Sequence, residues 1–302
     1  MRSFFPTPTP SAALVPATSP AGAKSPARSA SPGAHLGDPA GVLSPLGQLA
    51  DEPRHRPQVS VVTPVFGHCP TVLACLESVA AQTGVDVEHV VVDCGCDEAT
   101  FARILSWRHR ITVVPGTARD TFGTAYNRGL LHSHGEFVGF LSGTQAYAHE
   151  GVLRAVCDTF AVAEADALYG DLLGVAQEDL NHVKRSLLIG PFSRERVAWG
   201  WAPPLSATFI RRHWCERVKG MSTELQLAAP YDYLVRLLAQ PAFRLCYLNQ
   251  PLVRRRLRLR WREALRRLAR QPREEWRVMR RHRVGGLGSL AWKNLLRINH
   301  LL

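Results

Sequence analysis

Val59-Ser60-Val61-Val62-Thr63-Pro64-Val65-Phe66 is a run of β-branched and apolar residues, closed by a proline and by Gly67. Such a run reads as a strand buried on both faces. Working outward, Thr71 to Gln82 carries Leu73, Leu76, Val79 and Ala80 at helical spacing. Val87 to Val92 is a second β-branched run, ending at Asp93-Cys94-Gly95. Asp97 to Trp107 predicts a helix, Ile111 to Val114 a third strand and Thr124 to His132 a short helix. Phe137 to Leu141 predicts a fourth strand, Glu150 to Val162 a helix and Ala167 to Tyr169 a fifth strand. Beyond about residue 180 the pattern is mixed, with strands at Ala207 to Ile210 and Phe243 to Leu248 and a helix at Tyr231 to Ala239.

Strands alternating with helices predict an α/β fold with a mostly parallel sheet flanked by helices. In such sheets a ligand sits beyond the carboxyl ends of the strands. The segments to inspect are therefore 64–67, 93–96, 115–120 and 142–145. No Gly-x-Gly-x-x-Gly follows the first strand, which disfavours a dinucleotide-binding dehydrogenase.

The 302 residues, 46% of them apolar, suffice for a sizeable core. The net charge of +12 is a local property. Residues 254–302 hold 15 arginines and Lys293 against Glu263, Glu274 and Glu275, while the rest of the chain is close to neutral. A nucleic-acid interface over the whole domain loses its electrostatic support, and no nucleic-acid partner is expected. Residues 1–56 are rich in Pro, Ala and Ser and read as a disordered leader. Residues 57–256 form the expected globular domain and 257–302 a basic helical tail. No apolar run approaches the roughly 18–20 residues of a membrane span, and Ala12 to Ala17 is broken by Pro16. The expected location is cytoplasmic, with a peripheral place on the inner membrane face if the tail lies there. The seven cysteines lack zinc-site spacing and read as reduced, mostly buried thiols.

The segment 59–66, followed by Leu76-Glu77-Ser78-Val79-Ala80-Ala81-Gln82-Thr83, resembles the opening of family-2 glycosyltransferases. Val90-Val91-Val92-Asp93-Cys94-Gly95-Cys96-Asp97 resembles their next strand and its acidic turn, and Thr124-Ala125-Tyr126-Asn127-Arg128-Gly129 their Ala-x-Asn-x-Gly helix. Gly135 to Leu141, Tyr169-Gly170-Asp171 and Tyr231-Asp232-Tyr233-Leu234-Val235-Arg236 resemble later landmarks. The resemblance spans roughly 58–256 with order and spacing kept. It implies the GT-A fold, a nucleotide-diphospho-sugar donor, inversion at the transferred sugar, and a glycan, lipid-linked or small-molecule acceptor.

Such an enzyme holds a nucleotide base, stabilises a departing diphosphate and deprotonates an acceptor hydroxyl. For the nucleotide the resemblance points to Asp93, with Pro64, Val65, Gly95 and Asn127. The plainer alternative for Asp93, and for Asp97, is to cap the following helix. For the diphosphate the family places an Asp-x-Asp or Asp-Asp pair after the fourth strand to grip Mg or Mn. Here the segment reads Ser142-Gly143-Thr144-Gln145, with no carboxylate. Either the metal is lost, or a cation of the protein stands in, with Arg119, Arg128 and Arg254 to Arg256 as candidates. The alternative for each arginine is a solvated face.

For the base, the family acid lies two residues before Asp232, where this chain has Pro230. Asp232 is the nearest carboxylate, with a structural pairing to Arg236 as its alternative. Asp171 and Asp120 follow as further candidates. His132, His134 and His149 are weighed as metal ligands and fall, for the first two, ahead of the strand at its far end. In the tail, Trp261, Leu265, Leu268 and Ala269 recur at helical spacing among arginines. That pattern either caps an apolar edge of the domain or lies on an anionic membrane. The losses at 142–145 and 230 also suit a degenerate fold that binds nucleotide, sugar or a partner without turnover.

Overall fold

A computed structural model describes residues 56–257, 261–291 and 293, with backbone alone over 261–269. Of the expected leader only Arg56 falls among them. Strands β1 (Val59–Phe66), β2 (Val87–Cys94), β3 (Thr112–Pro115) and β4 (Phe137–Phe140) alternate with helices α1 (Val72–Ala80), α2 (Glu98–Leu105) and α3 (Phe122–Leu131). Then come β5 (Gln145–Tyr147), α4 (Val152–Val162), β6 (Ala167–Val175), β7 (Val183–Leu187) and α5 (Arg194–Ala198). The chain ends through β8 (Thr208–Arg211), α6 (Arg212–Arg217), α7 (Ala229–Leu238), β9 (Leu245–Arg256) and α8 (Trp261–His282).

Among the described residues one sheet runs β3-β2-β1-β4-β8-β6-β9-β5, with β7 paired to β6. β1 to β4 are mutually parallel. β8 runs antiparallel to both β4 and β6, so β6 and its parallel neighbour β9 share the direction of β1. β5 and β7 run the other way. The sheet is therefore parallel in its first half and mixed in its second.

β1 is buried from Val59 to Val65 because both faces are covered. Val59 and Val61 pack with Val152, Val156 and Phe160 of α4. Val62 packs on the other side with Tyr126, Trp214 and Tyr233. Phe137 and Phe160 stack with ring centroids 4.1 Å apart. Pro64 fits a central strand for a geometric reason. Val62 accepts from Leu141 N at 3.0 Å, so by alternation Pro64 turns its missing N–H to the same side. β4 has ended there, and no ladder bond is lost.

The short elements depart from expectation. β5 is three residues inside a stretch read as loop, and β7 is an exposed edge strand, Val-Lys-Arg-Ser-Leu. β6 continues to Val175 rather than ending at Tyr169, and β9 runs to Arg256, past a register shift opposite Gly170 and Asp171. Of the tail, Val278 and Met279 are buried against Leu225, Ala228, Tyr231 and Val235. Glu274 accepts from Leu227 N at 2.8 Å and Ala228 N at 2.9 Å, capping α7 where its own sequence offers no side-chain cap. Trp261, Leu265, Leu268 and Ala269 lie outside the described side chains. No described helix is long and apolar enough to cross a membrane.

Candidate active site

Because β1 to β4, β6 and β9 share one direction, the turns after them gather along one edge of the sheet. Val65 lies in register with Asp93, and Asp93 with Pro115. Asp93 is partly buried. Its Oδ1 accepts from Cys96 N at 2.8 Å, which bends the chain back over the strand end. Gly95 sits at φ +72°, and a Cβ there would lie 2.7 Å from that of Ala118. Only glycine lets the turns after β2 and β3 close on each other. Gly116 N donates to Asp93 O at 2.8 Å.

Asp97 caps α2, accepting from Thr100 N at 2.9 Å and pairing with His68 Nδ1 at 2.6 Å. Bonds from Thr100 and His68 hold its carboxyl down to about 2. Asp97 is thus the cap of the pair, while Asp93 stands a turn earlier at the strand end. Asp120 accepts from Thr117 N and Oγ1 at 3.0 and 3.1 Å, with Arg128 Nη2 at 3.5 Å. Arg119 is exposed on the same loop. Thr121 caps α3 by accepting from Thr124 N.

Asn127 is placed differently from expectation. Its Nδ2 donates to Met221 O at 2.8 Å and its Oδ1 accepts from Met221 N at 2.7 Å. Both ends of the amide tie α3 to the loop before α7, and Asn127 also borders a cavity of about 980 Å³ with Arg56, Glu88 and His134 near the amino ends of the strands. It positions a loop rather than facing the turns after β1 and β2.

The turn 142–145 follows β4 on the carboxyl edge. Ser142 N donates to Gln145 Oε1 at 3.0 Å, Gln145 Nε2 donates to Ser206 Oγ at 3.1 Å, and the hydroxyls of Ser142 and Thr144 lie 3.2 Å apart. Gly143 abuts Val65 and Cys69, so this turn and the loop from β1 to α1 are neighbours. β9 closes the other side, with Arg255 directly opposite Gln145 and Arg254 opposite Ala146. Arg256 Nη1 donates to Thr144 O at 3.0 Å and its Nε to Gln177 O at 3.1 Å. Arg254 Nη1 donates to Asn181 Oδ1.

The donor set does not suit Mg or Mn. Those ions take hard, preferably anionic oxygen. Ser142, Thr144 and Gln145 offer neutral oxygens already bonded to one another, beside a guanidinium. Among the described residues no group of three or more His, Cys, Asp or Glu could hold a metal ion. His134 pairs with Glu88 at the amino end of β2, and His149 Nδ1 accepts from Gly151 N, so the histidines do not converge. The cysteines are free thiols, and burial pushes Cys94 up to about 12.

Asp171 stands level with Ser142. Gly139 and Leu168 both face Phe209 of β8, and each of the two residues lies three positions further on. Asp171 accepts from Ile189 N at 2.7 Å and from Tyr247 Oη at 2.9 and 2.8 Å to its two oxygens. Burial, then the bond to Asp171, push the Tyr247 phenol up to about 12. Tyr169, Trp201 and Tyr247 form a ring cluster around it, and Arg196 lies 4.3 Å over the Trp201 ring. Nothing local in the sequence signalled Tyr247 or Ser206; the β6–β9 pairing brings in the first and the turn before β8 the second.

Asp232 does not face this edge. Its Oδ2 bonds Arg236 Nε at 2.8 Å and its Oδ1 bonds His282 Nε2 at 2.9 Å, and the residue is 2% exposed. Arg236 continues to the carbonyls of Val218 and Gly220. The physical reason is helix geometry: i and i+4 share a face, and that face of α7 meets α8 and the 218–220 loop. Expected as a candidate base, Asp232 serves as a buried tie.

The sequence pattern of Glycosyl transferase family 2 matches residues 60–211, just over half of the chain, and the chain belongs to that family. An uncharacterised glycosyltransferase of Haemophilus influenzae is 23% identical over 199 residues, covering 64% of this chain and 66% of that protein. The O-antigen biosynthesis protein RfbC of Myxococcus xanthus is 28% identical over 195 residues, 60% of this chain and 14% of that one. A PGL/p-HBAD biosynthesis glycosyltransferase of Mycobacterium tuberculosis is 26% identical over 211 residues, 66% and 73% of the two chains. The chain thus spans just under two thirds of the Haemophilus protein and a small part of the Myxococcus one. Among solved structures, S. aureus TarS 1–349 in complex with UDP aligns with TM-score 0.54 at 18% identity, over 66% of this chain and 60% of that chain. The mannosyltransferase PcManGT from Pyrobaculum calidifontis, in complex with GDP-Man and Mn2+, aligns with TM-score 0.55 at 19% identity, over 73% and 63%. At that identity the likeness carries the fold, which is the GT-A type that the family resemblance implied.

Proposed function

We propose that this chain transfers a sugar from a nucleotide-diphospho-sugar donor to a hydroxyl acceptor, by a single inverting displacement. One observation carries the reading: the Asp93 turn, the carboxylate-free turn 142–145 and Asp171 lie along one edge of the sheet in a family-2 chain. Asp93 with the Pro64–Val65 backbone takes the base, a carboxylate accepting from a ring N–H. The diphosphate lies over 142–145. Asp171, oriented by Tyr247 and Ile189, accepts the proton of the acceptor hydroxyl. The acceptor oxygen bonds to the anomeric carbon as the bond from that carbon to the diphosphate breaks. The nucleoside diphosphate leaves with the electron pair. Attack from the face opposite the leaving group inverts the centre.

The acceptor is a glycan, a lipid carrier or a small molecule. Arg270, Arg273, Arg277, Arg280 and Arg281 are exposed on α8, on the side away from Val278 and Met279. That stripe supports an anionic membrane surface as the meeting place with a lipid-linked acceptor, each basic residue contributing roughly 1 kcal/mol. The domain limits follow: a catalytic body over 57–256 and a basic tail over 257–302, of which the described part of α8 docks on α7 and presents arginine outward.

The test is release of nucleoside diphosphate from a panel of nucleotide sugars, with an acceptor mixture, followed by thermal shift with each donor. Donor-dependent release that falls in Asp93→Ala is expected. Donor binding with no release under any acceptor would favour a binding protein without turnover, a reading supported by the neutral turn and by Pro230. Absence of any donor binding would end both.

A further inference from the structure

We propose that the arginines at the end of β9 neutralise the donor diphosphate in this chain in place of a divalent cation, Arg255 by facing it and Arg256 as a fixed charge held against the turn from the other side. The inference rests on the donor reading above and deepens it. The turn 142–145 lacks any carboxylate. A divalent ion is retained by carboxylates because their charge offsets the cost of stripping its water. Ser142, Thr144 and Gln145 carry no charge, and their side-chain oxygens already bond within the turn, while Gln145 Nε2 donates to Ser206 Oγ.

The second observation is what the fold brings to the same turn. The β5–β9 register sets Arg255 directly across from Gln145. Residues directly opposite in an antiparallel pair project to the same face. Arg255 therefore stands over the side of the turn that Gln145 presents to Ser142 and Ser206. Arg256, alternating to the other face, is 9% exposed and donates to Thr144 O at 3.0 Å. A guanidinium on a carbonyl of the very turn that would have to bind an ion repels a second cation there. It also places a fixed positive charge where the diphosphate is expected to rest. Guanidinium is never deprotonated at working pH, and its planar fork matches paired phosphate oxygens.

A third observation concerns unmet hydrogen bonds. Arg254 Nε and Arg128 Nε are buried with no partner. Buried donors are ordinarily satisfied. Arg254 precedes the pair on β9, and Arg128 flanks Asp120 on the nucleotide side. Both sit on elements that border the turns in question. The substitution is thus a paired one: the turn loses its carboxylates and the strand beside it carries a run of three arginines.

The experiment is calorimetric titration of UDP, GDP and the matching monophosphates into the full chain, once in EDTA and once with Mn2+. The expected result is diphosphate affinity equal within about threefold in the two buffers. Arg255→Ala and Arg256→Ala are each expected to lower diphosphate affinity at least about tenfold, while monophosphate affinity changes far less. Arg255 is exposed, so its variant keeps the test alive if the buried Arg256→Ala fails to fold; melting without ligand reports which has happened. Arg255→Lys should recover part of the loss, since charge remains and the fork does not. Diphosphate binding that needs Mn2+ would overturn the arginine proposal and leave the donor reading standing. Metal-free binding indifferent to both arginine variants would also overturn it. No binding of any nucleoside diphosphate in either buffer would remove the donor reading, and this inference with it.

Discussion

The first four strands and the last four treat their acidic residues in opposite ways. On the β1–β4 side the acids at the carboxyl edge each take a bond three residues away, Asp93 from Cys96, Asp97 from Thr100 and Asp120 from Thr117, while Glu88 at the amino end is held by the distant Ser60 and His134. On the β6–β9 side the partners come from far away. Asp171 and Tyr247 are 76 residues apart and Asp232 and His282 are 50 apart, although Asp232 also bonds Arg236 one helical turn on. Local bonds leave a side chain at the strand end with its fold secure whatever the ligand does. Long-range bonds make the same residue type part of what holds the chain together. A carboxylate anchored by a short local bond at the carboxyl edge stays available to a ligand, while one held across the chain is a tie until its geometry says otherwise.

The sharpest break in that comparison is Asp171, a long-range residue assigned chemistry. Asp171→Asn should lower kcat by about 10²–10⁴-fold, the usual worth of a general base. Donor affinity should hold, and Asn can keep the bonds from Tyr247 and Ile189. A loss of donor affinity or melting temperature in place of the rate effect would return Asp171 to the ties. Asp232 should behave as a tie. Asp232→Ala leaves Arg236 and His282 without their buried partner and should cost about 3–5 kcal/mol in denaturant unfolding. Transfer per folded molecule should survive; a variant that folds normally and cannot turn over would reinstate Asp232 as the base.

Asp93→Ala comes next, with nucleotide affinity falling about tenfold to a hundredfold for one lost charge-assisted bond. Its melting temperature without ligand should move little, because Asp93 closes only a local turn. A collapse of the fold would erase the contrast between the two regions. The smallest effect is on pH. His89 is buried against Thr63, and burial holds its imidazole down to about 3. The unfolded chain, with an ordinary histidine near 6.5, binds the extra proton first. Stability is therefore complete above about pH 6.5 and declines as pH falls toward 3. Melting curves between pH 7 and 5, above the carboxylate range, should show a slope that His89→Gln reduces. An equal slope in the variant would assign it elsewhere.

Local pattern made the first region legible. The strand 59–66, the acidic end of β2 and the cap at Asp97 all follow from residues a few positions apart. The second region resisted for physical reasons. β5 is too short to carry a period, and β7 is a largely solvent-facing edge, Val-Lys-Arg-Ser-Leu, from which only Leu187 packs against the core. Asn127, read from its motif as a nucleotide contact, proved to bond Met221, 94 residues on. The i, i+4 spacing of Asp232 and Arg236 did announce their pairing, but His282 could not be foreseen from it.

By itself the sequence determined an α/β body with its polar turns on one edge, a turn without carboxylates at 142–145, and a basic tail. These depend on side-chain period and residue chemistry, which are properties of short segments. Only the tertiary structure decided that Arg255 stands across from Gln145, that Asp171 is level with Ser142, that Asp232 turns to α8, and that Glu274 caps α7. Each of those is set by strand register or helix docking between segments distant in the chain. No short segment encodes a register by itself, because it depends on how both partners bury their apolar faces at once.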